Sequence, residues 1–179
     1  MSVFSQSKTK VLVRIALLAS ATAICSQIML PLPFTSVPIN LALLPVFLSG
    51  LLLGPVNSSV CMMIYLSLGL VGLPVFSGFR GGPGVLLGPT GGYLIGYVFC
   101  AVITGLLAEK ARHRSWGVIL GMIAGLGICY LFGSGWFMFL THRPLLDTLF
   151  LCVIPFIPGD AFKIIAAAFL SHRLRSLLF

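Results

Sequence analysis

Long apolar stretches, separated by short polar or glycine- and proline-rich segments, dominate the pattern along the chain. A helix that crosses about 30 Å of hydrocarbon needs about 20 residues, and most of these stretches approach that length. Prolines end several of them, because proline removes a backbone donor and breaks a helix interior. The pattern predicts an all-α protein with six membrane-spanning helices, at about 11–30, 39–53, 58–73, 93–108, 116–140 and 158–172.

The connections between these stretches differ in length and character. Gly54 and Pro55 predict a tight turn between the second and third helices, whereas residues 74–92 form a long glycine- and proline-rich connection. Residues 146–154 predict a short helical piece at the membrane edge, ahead of the last spanning helix. No inter-domain linker interrupts the sequence, so residues 1–179 are expected to form a single membrane domain.

Composition supports a membrane location. Apolar and aromatic residues make up 59% of the chain and charged residues only 8%. Globular proteins carry about 25% charged residues, so this chain cannot supply the polar surface of a soluble domain. Its hydrophobicity also excludes a disordered chain.

The formal net charge of +8 is the next feature to explain. A basic balance can indicate nucleic-acid binding. With six spans and a cytoplasmic N-terminus, however, eight of the 11 Lys and Arg residues lie on the cytoplasmic side, two lie outside and Lys163 lies in the last span. This distribution obeys the positive-inside rule, so both termini are expected in the cytoplasm and no nucleic-acid partner is expected.

The N-terminal helix has two interpretations. Basic residues precede an apolar run that contains small residues, which is also the pattern of a cleaved signal peptide. The run continues to Leu30, past the candidate cleavage sites, which favours a retained first span. On this helix Ala19 and Ala23 form a stripe of small residues, a pattern that lets another helix of this chain or of a second protein approach closely.

Asp160 and Lys163 are the candidates for chemistry inside the membrane. Charged residues within spans are costly, and they are functional candidates by default. The spacing of three puts both on one face of the last helix. They form either a self-neutralising structural pair with a carboxylate near a helix start or the polar end of a ligand pocket. We favour the pocket, because a buried ion pair contributes little to stability.

The connection at residues 74–92 carries apolar residues among its glycines, as well as Arg80. Flexible linkers are usually polar, so the apolar anchors favour a lid that folds over a site. Arg80 is either a partner for an anionic ligand group or a solvated loop charge. Neither the cysteines nor the histidines show metal-ligand spacing, and no set of side chains indicates catalysis. No metal, cofactor or enzymatic activity is therefore expected.

Several segments together resemble a known family. They read IMLPLPFTSVPINL, GLLLGP, YLSLGLVGLPVFSGFRGGPGVLLGPTGGYLIGY and PFIPGDAFKIIAAAF. They are similar to the BioY family, the biotin-binding membrane components (S components) of energy-coupling factor (ECF) transporters. The similarity covers about residues 27–107 and 155–173, and it is weak over 115–151.

The resemblance implies a six-helix protein of the bacterial cytoplasmic membrane that takes up biotin with high affinity. It implies that the loop with Phe79, Arg80 and Gly81 closes over the ligand and that Asp160 and Lys163 contact the polar groups of biotin. Tyr93, at the end of the GPTGGY motif, and Gln27, near the same outer level, are the remaining candidate ligand residues. The alternative for Gln27 is a packing or capping residue.

The resemblance also implies partner proteins. Ala19 and Ala23 would dock onto a transmembrane coupling subunit, which paired cytoplasmic ATPases would drive. Two alternatives stay open. One is an S component for another vitamin, and the other is an intramembrane enzyme that uses Asp160 and Lys163.

Overall fold

The protein is a helical bundle, here described from a computed structural model over residues 8–112 and 114–178. Its long helices are connected by a two-stranded ribbon, a structured loop and short turns. In chain order the helices are α1 (Lys8–Gln27), α2 (Leu43–Leu70), α3 (Pro83–Leu86), α4 (Gly91–Lys110), α5 (Ser115–Thr141), α6 (Leu145–Cys152) and α7 (Ile157–Leu178). A 3₁₀ turn at Ile154–Phe156 joins α6 to α7.

Length and composition make five helical segments of the described chain apolar enough to cross a membrane. They are α1, α2, α4, α5 and the continuous segment Leu145–Arg175. Large apolar side chains are exposed on their outer faces. Such faces suit contact with lipid, where helices associate through close packing rather than through exclusion of water.

The predicted ends of the first helix and the predicted start of the second are wrong. α1 ends at Gln27, and Met29–Leu30 (β1) pairs in antiparallel fashion with Ile39–Asn40 (β2). The cause is local, since Pro31 disfavours helical geometry at Leu30. Pairing with the other strand then satisfies backbone groups that the helices no longer use.

The predicted turn at Gly54 is a sharp break inside one helical segment. Gly54 has φ 75° and ψ 176°, a backbone conformation that glycine alone adopts readily. A Cβ at this position would lie 2.3 Å from Glu109 Oε1, near the end of α4. Leu43 and Leu70, the two ends of α2, lie toward the opposite end of the bundle: Leu43 lines the same cavity as Phe76, and Phe76 packs against Gly69.

Small residues bring the central helices close together. A Cβ on Gly50 of α2 would lie 2.4 Å from the carbonyl oxygen of Ala101 in α4, and a Cβ on Gly105 would lie 2.8 Å from the carbonyl oxygen of Gly50. On the other side of α4, Gly96 packs against Cys129 of α5. These contacts make α4 the centre of the bundle, between α2 and α5.

Candidate ligand-binding site

A cavity of about 160 Å³ opens at the ribbon end of the bundle. Its walls come from the ribbon, the loop after α2, and helices α4, α5 and α7. Apolar and aromatic side chains form most of the surface, including Leu43, Phe76, Leu94 and Phe156. The polar and charged lining residues are Thr35, Ser36, Asn40, Ser77, Arg80, Thr90, Tyr93, Tyr97, Tyr130, Asp160 and Lys163. An apolar pocket with a few placed polar groups is the usual form of a small-molecule site.

Asp160 and Lys163 form an ion pair in the wall of this cavity. Lys163 Nζ lies 2.6 Å from Asp160 Oδ1, and the two residues are 4% and 0% exposed. Asp160 lies in the first turn of α7, where the positive end of the helix dipole stabilises a carboxylate. The 3₁₀ turn before α7 sets the start of this helix, so the chain geometry at Pro155 and Pro158 fixes where the pair lies.

Tyr130 of α5 engages the other oxygen of the carboxylate. Its hydroxyl donates a hydrogen bond to Asp160 Oδ2 at 2.5 Å. Asp160 therefore has a fixed orientation, held by Lys163 on one oxygen and by Tyr130 on the other. A carboxylate accepts more than one hydrogen bond per oxygen, and an ammonium group has three donors. Both groups thus keep capacity for a ligand with a donor and an acceptor side by side.

A second polar group connects the ribbon, the loop and α4. Asn40 Nδ2 donates to Ser77 Oγ at 2.7 Å, and Tyr97 OH donates to Asn40 Oδ1 at 3.4 Å. The same Asn40 oxygen accepts from the backbone N–H of Ala42 at 3.1 Å. Asn40 is thereby held in place at the cavity wall, with its amide linking three elements that meet there.

The loop that follows α2 is a structured element. Phe76 and Arg80 pair through two backbone hydrogen bonds, which closes a tight turn with positive φ at Gly78 and Phe79. Phe76 is buried and packs edge-on against Tyr65 of α2, with ring centroids 5.6 Å apart. Farther along, Trp136 of α5 donates to the carbonyl oxygen of Gly88 at 2.9 Å. The loop is therefore tied to α2 and α5 on either side of the cavity.

Gln27 at the end of α1 holds this turn in place. Its amide nitrogen donates to the carbonyl oxygens of Pro74 and Phe76 at 3.3 and 3.1 Å, and its Oε1 accepts from the N–H of Phe79 at 2.8 Å. The hydroxyl of the neighbouring Ser26 donates to the carbonyl oxygen of Val75 at 2.6 Å. The end of α1 thus supplies the side chains that fix the turn against the bundle.

The structure brings four of the predicted ligand residues to the cavity. They are Asp160, Lys163, Arg80 and Tyr93, although the Tyr93 hydroxyl already donates to the carbonyl oxygen of Cys152 at 2.8 Å. The other three lie outside the cavity wall: Gln27 contacts the loop, Phe79 is 72% exposed, and Gly81 packs on the backbone of Gly72 and Leu73.

The two predicted partner residues lie one turn apart on α1 and differ in burial. Ala19 is 3% exposed and packs inside the bundle, whereas Ala23 is half-buried. Ala16 and Ser20, which belong to the same run of small residues, are exposed. The outward small-residue surface of α1 therefore consists of Ala16, Ser20 and part of Ala23.

Sequence reasoning did not identify Tyr130, Tyr97 or Ser77. Tyr130 lies 30 positions before Asp160 within an apolar stretch, so nothing in the local pattern marks it as a partner of the carboxylate. The available signal was a phenol hydroxyl inside a span, since buried Tyr hydroxyls usually find a hydrogen-bond partner. Among residues 8–112 and 114–178, no group of three or more His, Cys, Asp or Glu side chains could hold a metal ion.

Known proteins resemble this chain over most of its length. The model of the BioY family matches residues 1–178. A biotin transporter BioY from Thermotoga maritima is 40% identical over 146 residues, which cover 82% of this chain and 85% of that protein. A probable biotin transporter BioY from Pyrococcus horikoshii is 35% identical over 168 residues, which cover 94% of this chain and 98% of that protein.

Solved structures of S components also resemble this chain. The crystal structure of the S-component for biotin from an ECF-type ABC transporter superposes with a TM-score of 0.90 and 30% identity, over 98% of this chain and 95% of the other. The S component of a bacterial ECF transporter superposes with a TM-score of 0.58 and 18% identity, over 96% of each chain. At that identity the second likeness concerns the fold alone.

Proposed function

Because the chain belongs to the BioY family, we propose that it binds biotin in the cavity beside Asp160 and Lys163 and serves as the substrate-binding S component of an ECF transporter. The observation that carries this proposal is the buried ion pair in the wall of an otherwise largely apolar cavity. Charged residues inside a membrane helix cost free energy, and where they occur they usually mark a functional site. The relatives are named as transporters, in agreement with the expectation that the chain is not an enzyme.

The cavity has the chemistry that biotin requires. Biotin carries a polar ureido group on an apolar bicycle, with a carboxylate at the end of a flexible chain. Asp160 accepts hydrogen bonds from the ureido N–H groups, and Lys163 donates to the ureido oxygen. Phe156 and Leu94 offer apolar surface to the bicycle. This assignment uses the remaining hydrogen-bonding capacity of both charged groups.

Arg80 binds the carboxylate of biotin in this proposal. Arg80 is exposed and lies on the loop that lines the cavity, whereas Asp160 and Lys163 are buried. The ureido group of biotin therefore lies deep in the cavity, and its carboxylate lies toward the cavity mouth. A guanidinium group suits a carboxylate because it can offer two parallel donors.

The loop at residues 74–92 acts as the lid. Phe79 and Gly81 belong to this lid and contribute to its turn, rather than contacting the ligand directly from the cavity wall. For biotin to enter, the turn moves away from the ribbon, and the contacts of Gln27 with Phe76 and Phe79 break. These hydrogen bonds then re-form on closure and favour the closed state, which gives Gln27 a role in retaining the ligand.

We further propose a single, multi-pass membrane domain with six crossings in the cytoplasmic membrane and with both termini in the cytoplasm. The reversal of direction that this requires within α2 occurs at Gly54. This reversal is supported by the positions of three points on α2: Gly54 lies beside Glu109, whereas both ends of the helix lie toward the cavity. The distribution of Lys and Arg residues gives the direction of insertion.

The proposed partners are a transmembrane coupling subunit and paired ATPase subunits, as in the ECF transporters that the structural relatives belong to. The docking surface on α1 comprises Ala16, Ser20 and Ala23, which are exposed or half-buried. Ala19 supports this surface from inside the bundle. Small side chains at this spacing allow a partner helix to approach the backbone closely.

Ligand identity is tested by measuring equilibrium biotin binding to the detergent-purified protein, with other vitamins as competitors. Biotin should bind and should not be displaced by an excess of another vitamin. Asp160→Asn should abolish binding, and Asp147→Asn, which alters an exposed acid on α6, should leave it unchanged. Preferred binding of another vitamin, or full affinity in Asp160→Asn, would contradict the proposal.

A further inference from the structure

A second cavity, of about 500 Å³, lies at the other end of the bundle. It is formed where α5 begins and α7 ends, with Leu51 of α2 at its base. Ser115 in this cavity and Tyr130 in the biotin cavity are 15 residues apart on α5. At a rise of about 1.5 Å per residue, the two cavities are separated by about 22 Å along the helix. The second cavity therefore cannot belong to the biotin site.

The wall of this cavity has an apolar part and a polar part. Leu51, Val118 and Phe169 form the apolar part, and Phe169 is 67% exposed. Ser115, His172 and Arg175 lie at the polar part. The exposed apolar side is open to the surroundings of the helices, which are hydrocarbon in a membrane. Such a wall suits an amphiphile with one polar and one apolar end.

The charge at this end favours an anion. Arg175 lines the cavity, and α5 begins at Ser115 with no side-chain cap from Arg114 on its first backbone N–H groups. The start of a long helix attracts negative charge. Lys110, Arg112 and Arg114 lie between the end of α4 and the start of α5, and Arg173 lies two positions before Arg175. Glu109 is an acid that interacts electrostatically with Arg175.

We propose that this cavity binds an anionic phospholipid. Its phosphate lies between Arg175 and the start of α5, and one acyl chain follows Val118 and Phe169. Basic pockets between membrane helices bind anionic headgroups in this way. A free phosphate ion would use the same polar groups but would leave the apolar wall unfilled, so the structure favours the lipid. The inference requires that the chain span a membrane, but it does not require that the chain bind biotin.

Native mass spectrometry of the delipidated protein tests this site, with dioleoyl-phosphatidylglycerol and dioleoyl-phosphatidylcholine titrated separately. The anionic lipid should bind more tightly than the zwitterionic lipid of the same chain length. Arg175→Gln should weaken binding of the anionic lipid by about fivefold, which is the effect of one basic residue. Arg143→Gln, which removes a charge from the turn between α5 and α6, should leave it unchanged. Equal binding of both lipids, or unchanged binding in Arg175→Gln, would overturn the proposal.

A second variant distinguishes lipid binding in the cavity from general attraction of the lipid to surface charge. Ala168 lines the cavity, so Ala168→Phe should fill it and reduce lipid binding while every charge stays in place. Ile165→Phe, on an exposed face of α7, is the matched control. Glycerophosphoglycerol, which has the headgroup without the chains, should not compete at equal concentration. Its effective competition would indicate an anion site without an acyl chain and would also overturn the proposal, as would unchanged lipid binding in a folded Ala168→Phe.

Discussion

Removing the charge of Asp160 alone, and then the charges of Asp160 and Lys163 together, separates a structural role of the pair from a ligand-binding role. In Asp160→Asn, the buried Lys163 ammonium loses its counter-ion, which lies 2.6 Å away. Breaking a buried pair by removing one partner costs about 3–5 kcal/mol. For a chain of this size, that loss corresponds to a decrease of about 10 °C in unfolding temperature.

The double variant Asp160→Asn/Lys163→Met removes both charges and keeps similar side-chain volumes. Neutral replacements of buried pairs are often equal to the original pair in stability, or better. We therefore expect the unfolding temperature of the double variant to return close to that of the wild type. Biotin affinity should not return, because two hydrogen bonds to charged groups, each contributing about 1.5–3 kcal/mol, remain absent. The expected loss is at least about a hundredfold.

Thermal unfolding in detergent and isothermal titration calorimetry with biotin measure these two quantities on the same samples. Asp147→Asn serves as the control for the loss of an acid outside the cavity. If the double variant recovers both stability and biotin affinity, the pair is a structural device and the ligand site must lie elsewhere. If Asp160→Asn is as stable as the wild type, the reasoning about an uncompensated charge is wrong.

Three further substitutions test the positioning groups and the break in α2. Tyr130→Phe removes the hydrogen bond to the carboxylate and should weaken biotin binding by about tenfold; unchanged affinity in calorimetry would remove Tyr130 from the site. Gln27→Ala releases the turn of the loop and should accelerate biotin dissociation by about tenfold; an unchanged rate in stopped-flow measurements would contradict its role in lid closure. Gly54→Ala forces a side chain into a strained conformation beside Glu109 and should destabilise the protein by about 1–3 kcal/mol. Gly127→Ala in open space should instead be neutral or slightly stabilising, and equal unfolding temperatures for the two variants would refute the argument from backbone strain.

The sequence predicted the membrane class and the residues at the centre of the candidate site for physical reasons. Runs of apolar residues near the length of a bilayer have few alternatives to spanning helices. Charges inside such runs are rare and therefore conspicuous, which is why Asp160 and Lys163 stood out. The structure brings both to one cavity with Arg80.

The parts that were not predicted depend on contacts between distant segments. Residues 28–30 and 39–40 are apolar or neutral and suit a helix end as well as a strand. Only the pairing of Met29 with Asn40 and of Leu30 with Ile39 makes them a ribbon. Tyr130 and Gln27 likewise gain their roles from partners 30 to 52 positions away, and no local periodicity encodes such distances. Ala19 matched a small-residue stripe, but helical spacing alone cannot tell which side of a helix faces the bundle.

The most direct test of the account is an experimental structure of the protein with biotin bound. We predict that the ureido group will lie within hydrogen-bonding distance of Asp160 and Lys163, with the carboxylate of biotin directed toward Arg80 and the turn at Phe79 closed over the cavity. Biotin bound outside this cavity, or bound in the cavity with its carboxylate against Lys163 and its ureido group at the mouth, would contradict the account.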